Sequence, residues 1–547
     1  MFIPRVKSEN LSGGARKLTF PINIYLADKP SCDTLAVLSE FLPYATFNQV
    51  EEKDSADMIF SVRPGISEKK EYYEISSTES CFAATAKDKR GLINAAATLT
   101  QMISYENGEF TIALGEISDW PDKEFRCYME DTGRKYIPID EFRAHILLLA
   151  KAKMNKFHWH LMDSQGYSIA FEACEGVQSP DKDGRKYSKD EVKELIEYAS
   201  LFEIDIIPEL DIPGHGRALL ETHPELACDV KTGTLHGWAL CAGSEKTYEF
   251  ISKLFAEVAS LFPFDYIHIG TDEIDVRDHT EALRQPHHDW DDCEVCKKKF
   301  APLGYKTTTE KFYYFVRRVY DIVTSLGKKV MMWNDNIDIA KSPDLPRDIL
   351  IDFWHVAHPN RGPREGCSML RFLEEGFEVL NSFCTFGYFY NTKHGRWNWV
   401  KPWNIDQQPA HHDGRYSHQI IGGKACAWED FPHYNHSIPS AVSVYADRFY
   451  NLHAIDDEEN FGIALTKFLL GVSCPKGLNI YGNKYLRAFY HLTTEISLFS
   501  DTCDKDEFKE LLNSLTNLLS FEKGFVDAVL SNFDKALSAE QQSVMEP

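Results

Sequence analysis

Two rhythms of apolar and polar residues divide the chain. Up to about residue 120, short strand-like runs (Phe20–Tyr25, Met58–Val62, Tyr72–Ser76, Phe82–Ala86) are interspersed with helical stretches. One helix is predicted from Arg90 to about Ser104, with Leu92, Ala95, Ala96 and Leu99 on one face. This part reads as a small α+β domain, and Asp119-Trp120-Pro121-Asp122 punctuates its end. Beyond it, apolar runs of strand length alternate with longer amphipathic stretches. The strands predicted are Phe125–Met129, Lys156–Leu161, Ile204–Leu210, Tyr266–Ile269, Lys329–Trp333, Ile349–Trp354, Glu378–Ser382 and Ile420–Ala427. Helices are predicted at Asp140–Lys153, at Ser188–Phe202 with a serine cap followed by Glu191, at Thr247–Leu261 and at Thr309–Leu326. Strand–helix alternation of this length implies parallel strands with covering helices. Eight such units over about 330 residues fit an α/β fold of the closed (β/α)8 TIM-barrel type better than an open sheet. The rhythm is less regular after Trp333. Near the end, Phe461–Leu470, Tyr485–Leu498 and Phe508–Leu519 are apolar at helical spacing and read as packing faces. The division expected is 1–120 for the small domain, 121–455 for the barrel and 456–547 for a helical C-terminal region.

Composition narrows the partners more than the fold. The 547 residues carry a formal charge of −24, which opposes nucleic acid and anionic membranes but costs a neutral small molecule or glycan nothing. No window approaches the ~18 apolar residues of a bilayer span, and MFIPRVKSENLSGG lacks the apolar core of a secretory leader. Thirteen cysteines, an odd number scattered through core-like segments, do not form a small disulfide framework. Reduced thiols and a cytoplasmic location are expected. Nothing in the pattern sets an oligomeric state.

In such a barrel the reacting groups come from the C-terminal ends of the strands. Those ends read Met129-Glu130-Asp131, His160 with Asp163-Ser164-Gln165, Glu209-Leu210-Asp211 leading to His215, Gly270-Thr271-Asp272-Glu273, Trp333-Asn334-Asp335, Trp354-His355, Tyr388-Phe389-Tyr390-Asn391 and Trp428-Glu429-Asp430. Carboxylates, histidines and tryptophans at every mouth position describe a polar cup with aromatic walls, and a sugar suits it. Its apolar faces lie on rings while its hydroxyls bond carboxylates. Asp272-Glu273 is the sharpest feature. Successive side chains of a regular strand face opposite ways, so both acids share a site only where the chain turns. There repulsion and partial burial raise one pKa and keep an acid protonated near neutrality. His215 alone reads as a turn histidine; Glu209 and Asp211 beside it favour a polar relay. Any one of Trp333, Trp354 and Trp428 alone reads as barrel core; three at strand ends favour a pocket.

Cys293-x2-Cys296, with His287 and His288 upstream, has the ligand types of structural zinc but lacks the second cysteine pair of a strong motif. The reading favoured is reduced surface thiols in a long loop, with no metal and no cofactor.

Several ordered stretches resemble glycoside hydrolase family 20. They are Phe125-Arg126 with Asp131-Thr132-Gly133-Arg134, Lys153 to Leu161, Pro208 to His215, and His268 to Glu273. The resemblance spans the barrel up to roughly residue 430 and, more weakly, the small domain. It implies an exo-β-N-acetylhexosaminidase removing terminal β-linked GlcNAc or GalNAc with retention. Attack comes from the substrate's own acetamido oxygen, an exception to the two-carboxylate scheme. The resemblance makes Glu273 the general acid and base, and Asp272 the partner of the acetamido N–H. Trp333, Trp354 and Trp428 box the acetamido methyl, and Tyr388 or Tyr390 bonds its carbonyl. Arg126 binds the C3 and C4 hydroxyls, and Asp163 and His215 support the acid. The chain departs from the family at Ser164, where a second aspartate is common, and at Thr271, where glycine is usual. At Asp430 the glutamate that grips sugar hydroxyls is one methylene shorter, with Glu429 beside it, so the choice between GlcNAc and GalNAc stays open. Two other readings remain: a silent barrel that only binds amino sugars, and a glycosidase with a carboxylate nucleophile such as Asp211 or Asp335.

Overall fold

A computed structural model describes residues 1–27, 33–106, 109–229, 239–274, 289–339, 344–355, 368–388, 400–428 and 434–453, with residues 464 and 468. Tyr390, Glu429, Asp430, His287, His288 and the expected C-terminal helices, apart from residues 464 and 468, lie outside them.

The barrel closes through eight parallel strands: Phe125–Asp131, Lys156–His160, Asp205–Glu209, Tyr266–His268, Lys329–Trp333, Leu350–Phe353, Val379–Asn381 and Ile420–Ala427. The last strand pairs back onto the first, with Gly423 opposite Arg126 and Ala427 opposite Glu130. Every predicted barrel strand is present within a residue or two of its expected ends. The covering helices form where the apolar spacing placed them, at Ile139–Lys151, Lys189–Leu201, Glu245–Leu261 and Thr308–Ser325. Two begin with reciprocal capping boxes, Ser188 with Glu191 and Thr307 with Glu310, which satisfy two otherwise orphan N–H groups each.

The N-terminal domain is an eight-stranded sheet carrying the helix Lys89–Met102, whose N-cap Asp88 accepts from the Gly91 N–H. Its two longest strands, Ser8–Leu18 and Glu109–Asp119, pair antiparallel, and no sequence expectation named them. Ser8–Leu18 is exposed along nearly its whole length, so it carries no apolar alternation to read. The domain joins the N-terminal end of the barrel through buried ion pairs. Arg5 meets Asp447, Lys153 meets Asp119 at 2.9 Å, and Arg126 meets Glu71 at 2.6 Å. Among the described residues no helix is long and apolar enough to cross a membrane.

Candidate active site

The fourth strand ends at His268, and the chain then turns sharply. Gly270, Thr271 and Glu273 all have left-handed φ, at 67°, 82° and 54°. A side chain at Gly270 would put its Cβ 2.0 Å from Asp211 Oδ1, so only glycine admits this approach. The turn is the physical answer to the alternation problem, because it brings Asp272 and Glu273 to one place. His215 Nε2 stands 3.7 Å from Asp272 Oδ2 and 3.5 Å from Glu273 Oε2. Glu273 is anchored by its own N–H, which donates to Asp335 Oδ2 at 2.9 Å, and 55% of its side chain faces the open cup. Asp272 Oδ1 is buried and has no hydrogen-bond partner among the described residues, which leaves an acceptor for a donor from a ligand.

Thr271 pays for that turn. A β-branched residue at positive φ costs about 1–3 kcal/mol, and its buried Oγ1 finds no partner among the described residues. Thr271→Gly should therefore raise stability by about 1 kcal/mol, the relieved strain being partly offset by glycine's larger unfolded-state entropy. The urea midpoint measures it, and an unchanged or lower midpoint shows the turn is not strained.

Behind the acids lies a relay of alternating charge. Asp163 accepts from His215 Nδ1 at 3.2 Å and contacts His160 Nε2 at 3.2 Å, while His160 Nδ1 meets Glu209 Oε2 at 2.6 Å. Burial opposes ionisation at Asp163, but His215, His160 and Arg134 hold its carboxyl well below the usual range. Glu209 is held down in the same way against burial by His160, His268 and His158. His215, despite burial, is pushed well up by Asp163 and Asp211. Asp211 and Asp335 go the other way. Burial first, then Asp272, raises both, Asp335 to about 8. Burial, and then Asp272 against the opposing pull of His215, raises Glu273 as well. Below the relay, Lys424 is clamped between Asp352 and His158 Nδ1, and Asp352 faces His268 Nε2 at 3.5 Å.

The aromatic residues assemble as one wall. Trp354 and Tyr388 stack with centroids 5.8 Å apart at 4°, Tyr388 meets Trp428 at 5.6 Å, and Trp428 meets Trp333 at 6.1 Å. Trp333 also donates Nε1–H to Glu209 Oε1 at 2.6 Å, and Trp354 donates to Asp335 Oδ1 at 3.2 Å. Both rings are thereby oriented by acids of the same site.

Arg126 is not in this cup. It is the second residue of its strand, so it stands at the N-terminal end of the barrel, 0% exposed. There it bonds Glu71, the Lys153 carbonyl and the Lys123 carbonyl. The arginine at the mouth is Arg134. Its guanidinium pairs with Asp131 at 2.6 Å and Asp163 at 2.7 Å and lies 5.2 Å over the Trp428 ring. Gly133 permits the approach, since a Cβ there would meet the Met162 backbone at 2.6 Å. Strand polarity was the signal available: Arg134 follows the C-terminal end of the first strand and Arg126 precedes it.

The expected surface thiols are likewise displaced. Cys293 and Cys296 are fully buried, and they lie against Cys228 and Cys241.

A parallel (β/α)8 barrel thus carries paired acids and a wall of aromatic rings at its C-terminal mouth. The model of the family described as Glycosyl hydrolase family 20, catalytic domain, matches residues 124–442, and that of Glycosyl hydrolase family 20, domain 2, matches residues 2–120. The chain belongs to glycosyl hydrolase family 20. It is 29% identical to a beta-hexosaminidase of Porphyromonas gingivalis over 318 residues, 54% of this chain and 40% of that protein. It is 26% identical to beta-hexosaminidase subunit A1 of Dictyostelium discoideum over 401 residues, 71% of this chain and 70% of that one. Thus it spans well under two thirds of the first relative. In fold it is similar to Flavobacterium johnsoniae chitobiase, with a TM-score of 0.74 at 23% identity, covering 94% of this chain and 77% of that one.

Proposed function

We propose that the protein is an exo-β-N-acetylhexosaminidase that removes terminal β-linked N-acetylhexosamine by substrate-assisted hydrolysis with net retention. The observation that carries this reading is Asp272 beside Glu273, with a buried Oδ1 on Asp272 that has no partner among the described residues. A carboxylate there is suited to an acetamido N–H. Held by it, the acetamido carbonyl oxygen attacks the anomeric carbon, and an oxazolinium intermediate forms as the glycosidic bond breaks. Glu273, its pKa raised by burial and by Asp272, gives its proton to the leaving oxygen. Water then adds to the anomeric carbon, Glu273 recovers its proton from that water, and the acetamide is restored. Asp272 stabilises the positive charge on the intermediate. Trp333, Trp354 and Trp428 enclose the acetamido methyl, and Tyr388 lies in the same wall.

A protein nucleophile is poorly supported. The neighbouring carboxyls, Asp211 and Asp335, are both shifted toward their protonated, non-nucleophilic forms. A silent barrel is poorly supported too, since both acids and their relay are in place. Hydrolysis of chromogenic β-GlcNAc and β-GalNAc glycosides, side by side, tests the reading. Release from neither, by folded protein, overturns it.

Arg134 supplies sugar contacts in this proposal, in place of Arg126. Its guanidinium stands at the rim over the Trp428 ring, on the side of the barrel where the acid pair lies. Arg134→Ala should lower kcat/KM by roughly 100-fold, in line with loss of a charge-assisted contact of ~3 kcal/mol, and should also lower the unfolding midpoint, because buried Asp131 and Asp163 lose a cation. Arg126→Ala should lower stability and leave kcat/KM nearly unchanged. It removes the nearer cation of Glu71, which keeps Arg90 at 3.8 Å and Asn94 at 3.0 Å, and costs about 3 kcal/mol. Equal kinetic losses in both variants would contradict the assignment.

A further inference from the structure

We propose that Cys228, Cys241, Cys293 and Cys296 hold one structural zinc ion. It would fasten the loop after the third barrel strand to the segment that follows the acid-bearing loop. The four residues come from two distant stretches. Cys228 follows the short turn Pro224–Leu226, and Cys241 follows Leu240, which bridges antiparallel to Ala227. Cys293 precedes the helix Glu294–Phe300, and Cys296 lies in its first turn. The sequence showed only the second pair as a motif, because the first has twelve residues between its cysteines instead of two.

The sulfur geometry decides between the chemistries open to four thiols. Cys241 Sγ lies 3.9 Å from Cys293 Sγ and 3.6 Å from Cys296 Sγ, and the four ligand atoms all lie within 4.8 Å of one another. A disulfide needs sulfurs about 2.05 Å apart. Four sulfurs at the ~2.3 Å bond length of tetrahedral zinc stand about 3.8 Å from each other. The cluster matches the second arrangement. Four thiolates complete a tetrahedron and leave no open position, which is the pattern of a structural rather than a catalytic zinc. Soft sulfur ligands also exclude magnesium and calcium.

The surroundings are built to hold this spacing. The thiols are 7%, 1%, 0% and 0% exposed in chain order, beside buried Trp290 and Phe300. Trp290 donates Nε1–H to the Leu240 carbonyl at 2.9 Å, and the Glu294 N–H donates to Asp229 Oδ1 at 3.0 Å, so each stretch is tied to the other on both sides of the cluster. At Gly243 a Cβ would stand 2.7 Å from Cys296 Cα, so any side chain there would push the two stretches apart. Cys293 comes twenty residues after Glu273, so the ion anchors the far end of the segment that leaves the acid pair.

The test is metal analysis of the full-length protein purified without chelator from zinc-containing medium. About one zinc per chain is expected, released in step with thiol modification by a mercurial. The Cys293→Ser/Cys296→Ser double variant should lose it, while Cys81→Ser, outside the cluster, should keep it. Should the double variant not fold, cobalt-grown wild-type protein serves instead. It should show thiolate-to-cobalt charge transfer and the intense d–d bands of a tetrahedral sulfur site. Folded wild-type protein without stoichiometric zinc, with iron in its place, or with disulfide-linked peptides among the four cysteines would overturn the proposal.

Discussion

Glu273→Gln should lower kcat/KM on an alkyl β-N-acetylhexosaminide by about 100- to 10,000-fold, the usual worth of a positioned general acid. KM should move little, because glutamine keeps the shape and one acceptor while losing the transferable proton. The backbone N–H bond to Asp335 survives the change, so the turn should hold. An activated aryl glycoside should lose less in the first step, since its phenolate leaves without much help. The pH profile adds a second reading. The Glu273 pKa is raised above the ordinary carboxyl value, by burial first and by Asp272. Its protonated form is the active one, so kcat/KM is full below that raised pKa and falls as pH climbs through it. The glutamine variant should lack this alkaline limb. Wild-type rates in the variant, or an unchanged limb, would remove Glu273 from the role.

What the chain revealed in advance follows from which signals are local. Barrel strands such as Lys329–Trp333 and Ile420–Ala427 announced themselves because a strand buried on both faces is a continuous apolar run. Ser8–Leu18 did not, because it gains its place only by pairing with Glu109–Asp119, nearly a hundred residues away. The same division holds in the site. Asp272, Glu273 and Trp333 were legible from their positions at strand ends. Lys424 was not, for it sits inside an apolar run and acquires its meaning from Asp352 and His158 across the barrel. The two arginines differ for another reason. Both belong to the resembling stretch, but a parallel strand has a chemical end and a structural end, and Arg126 stands at the structural one. Cys228 and Cys241 were invisible for the reason Lys424 was: their partners are brought by the fold, not by spacing.

The largest expected effect concerns the substrate. A β-glucoside that lacks the 2-acetamido group should be hydrolysed at least about 10,000-fold more slowly than the matching β-N-acetylglucosaminide. The acetamide is an intramolecular nucleophile, and well-oriented intramolecular groups reach effective molarities of roughly 10⁵–10⁸ M. Water or a protonated carboxyl cannot replace it, and the acids next to the pair, Asp211 and Asp335, are both pushed toward their protonated forms by burial and by Asp272. Asp272→Asn separates positioning from the rest of the site. The amide no longer presents a full negative charge to the acetamido N–H or to the oxazolinium, so kcat should fall by about 100- to 1,000-fold on the N-acetyl substrate, the usual worth of one preorganised electrostatic contact. The variant should leave the residual β-glucoside rate almost where it was. Removal of Asp272 also takes away a negative charge that raises Glu273, so the alkaline limb of the pH profile should move down. Wild-type rates within tenfold on the two substrates, or an Asp272→Asn loss equal on both, would instead place the nucleophile on the protein and make Asp211 and Asp335 the first residues to replace.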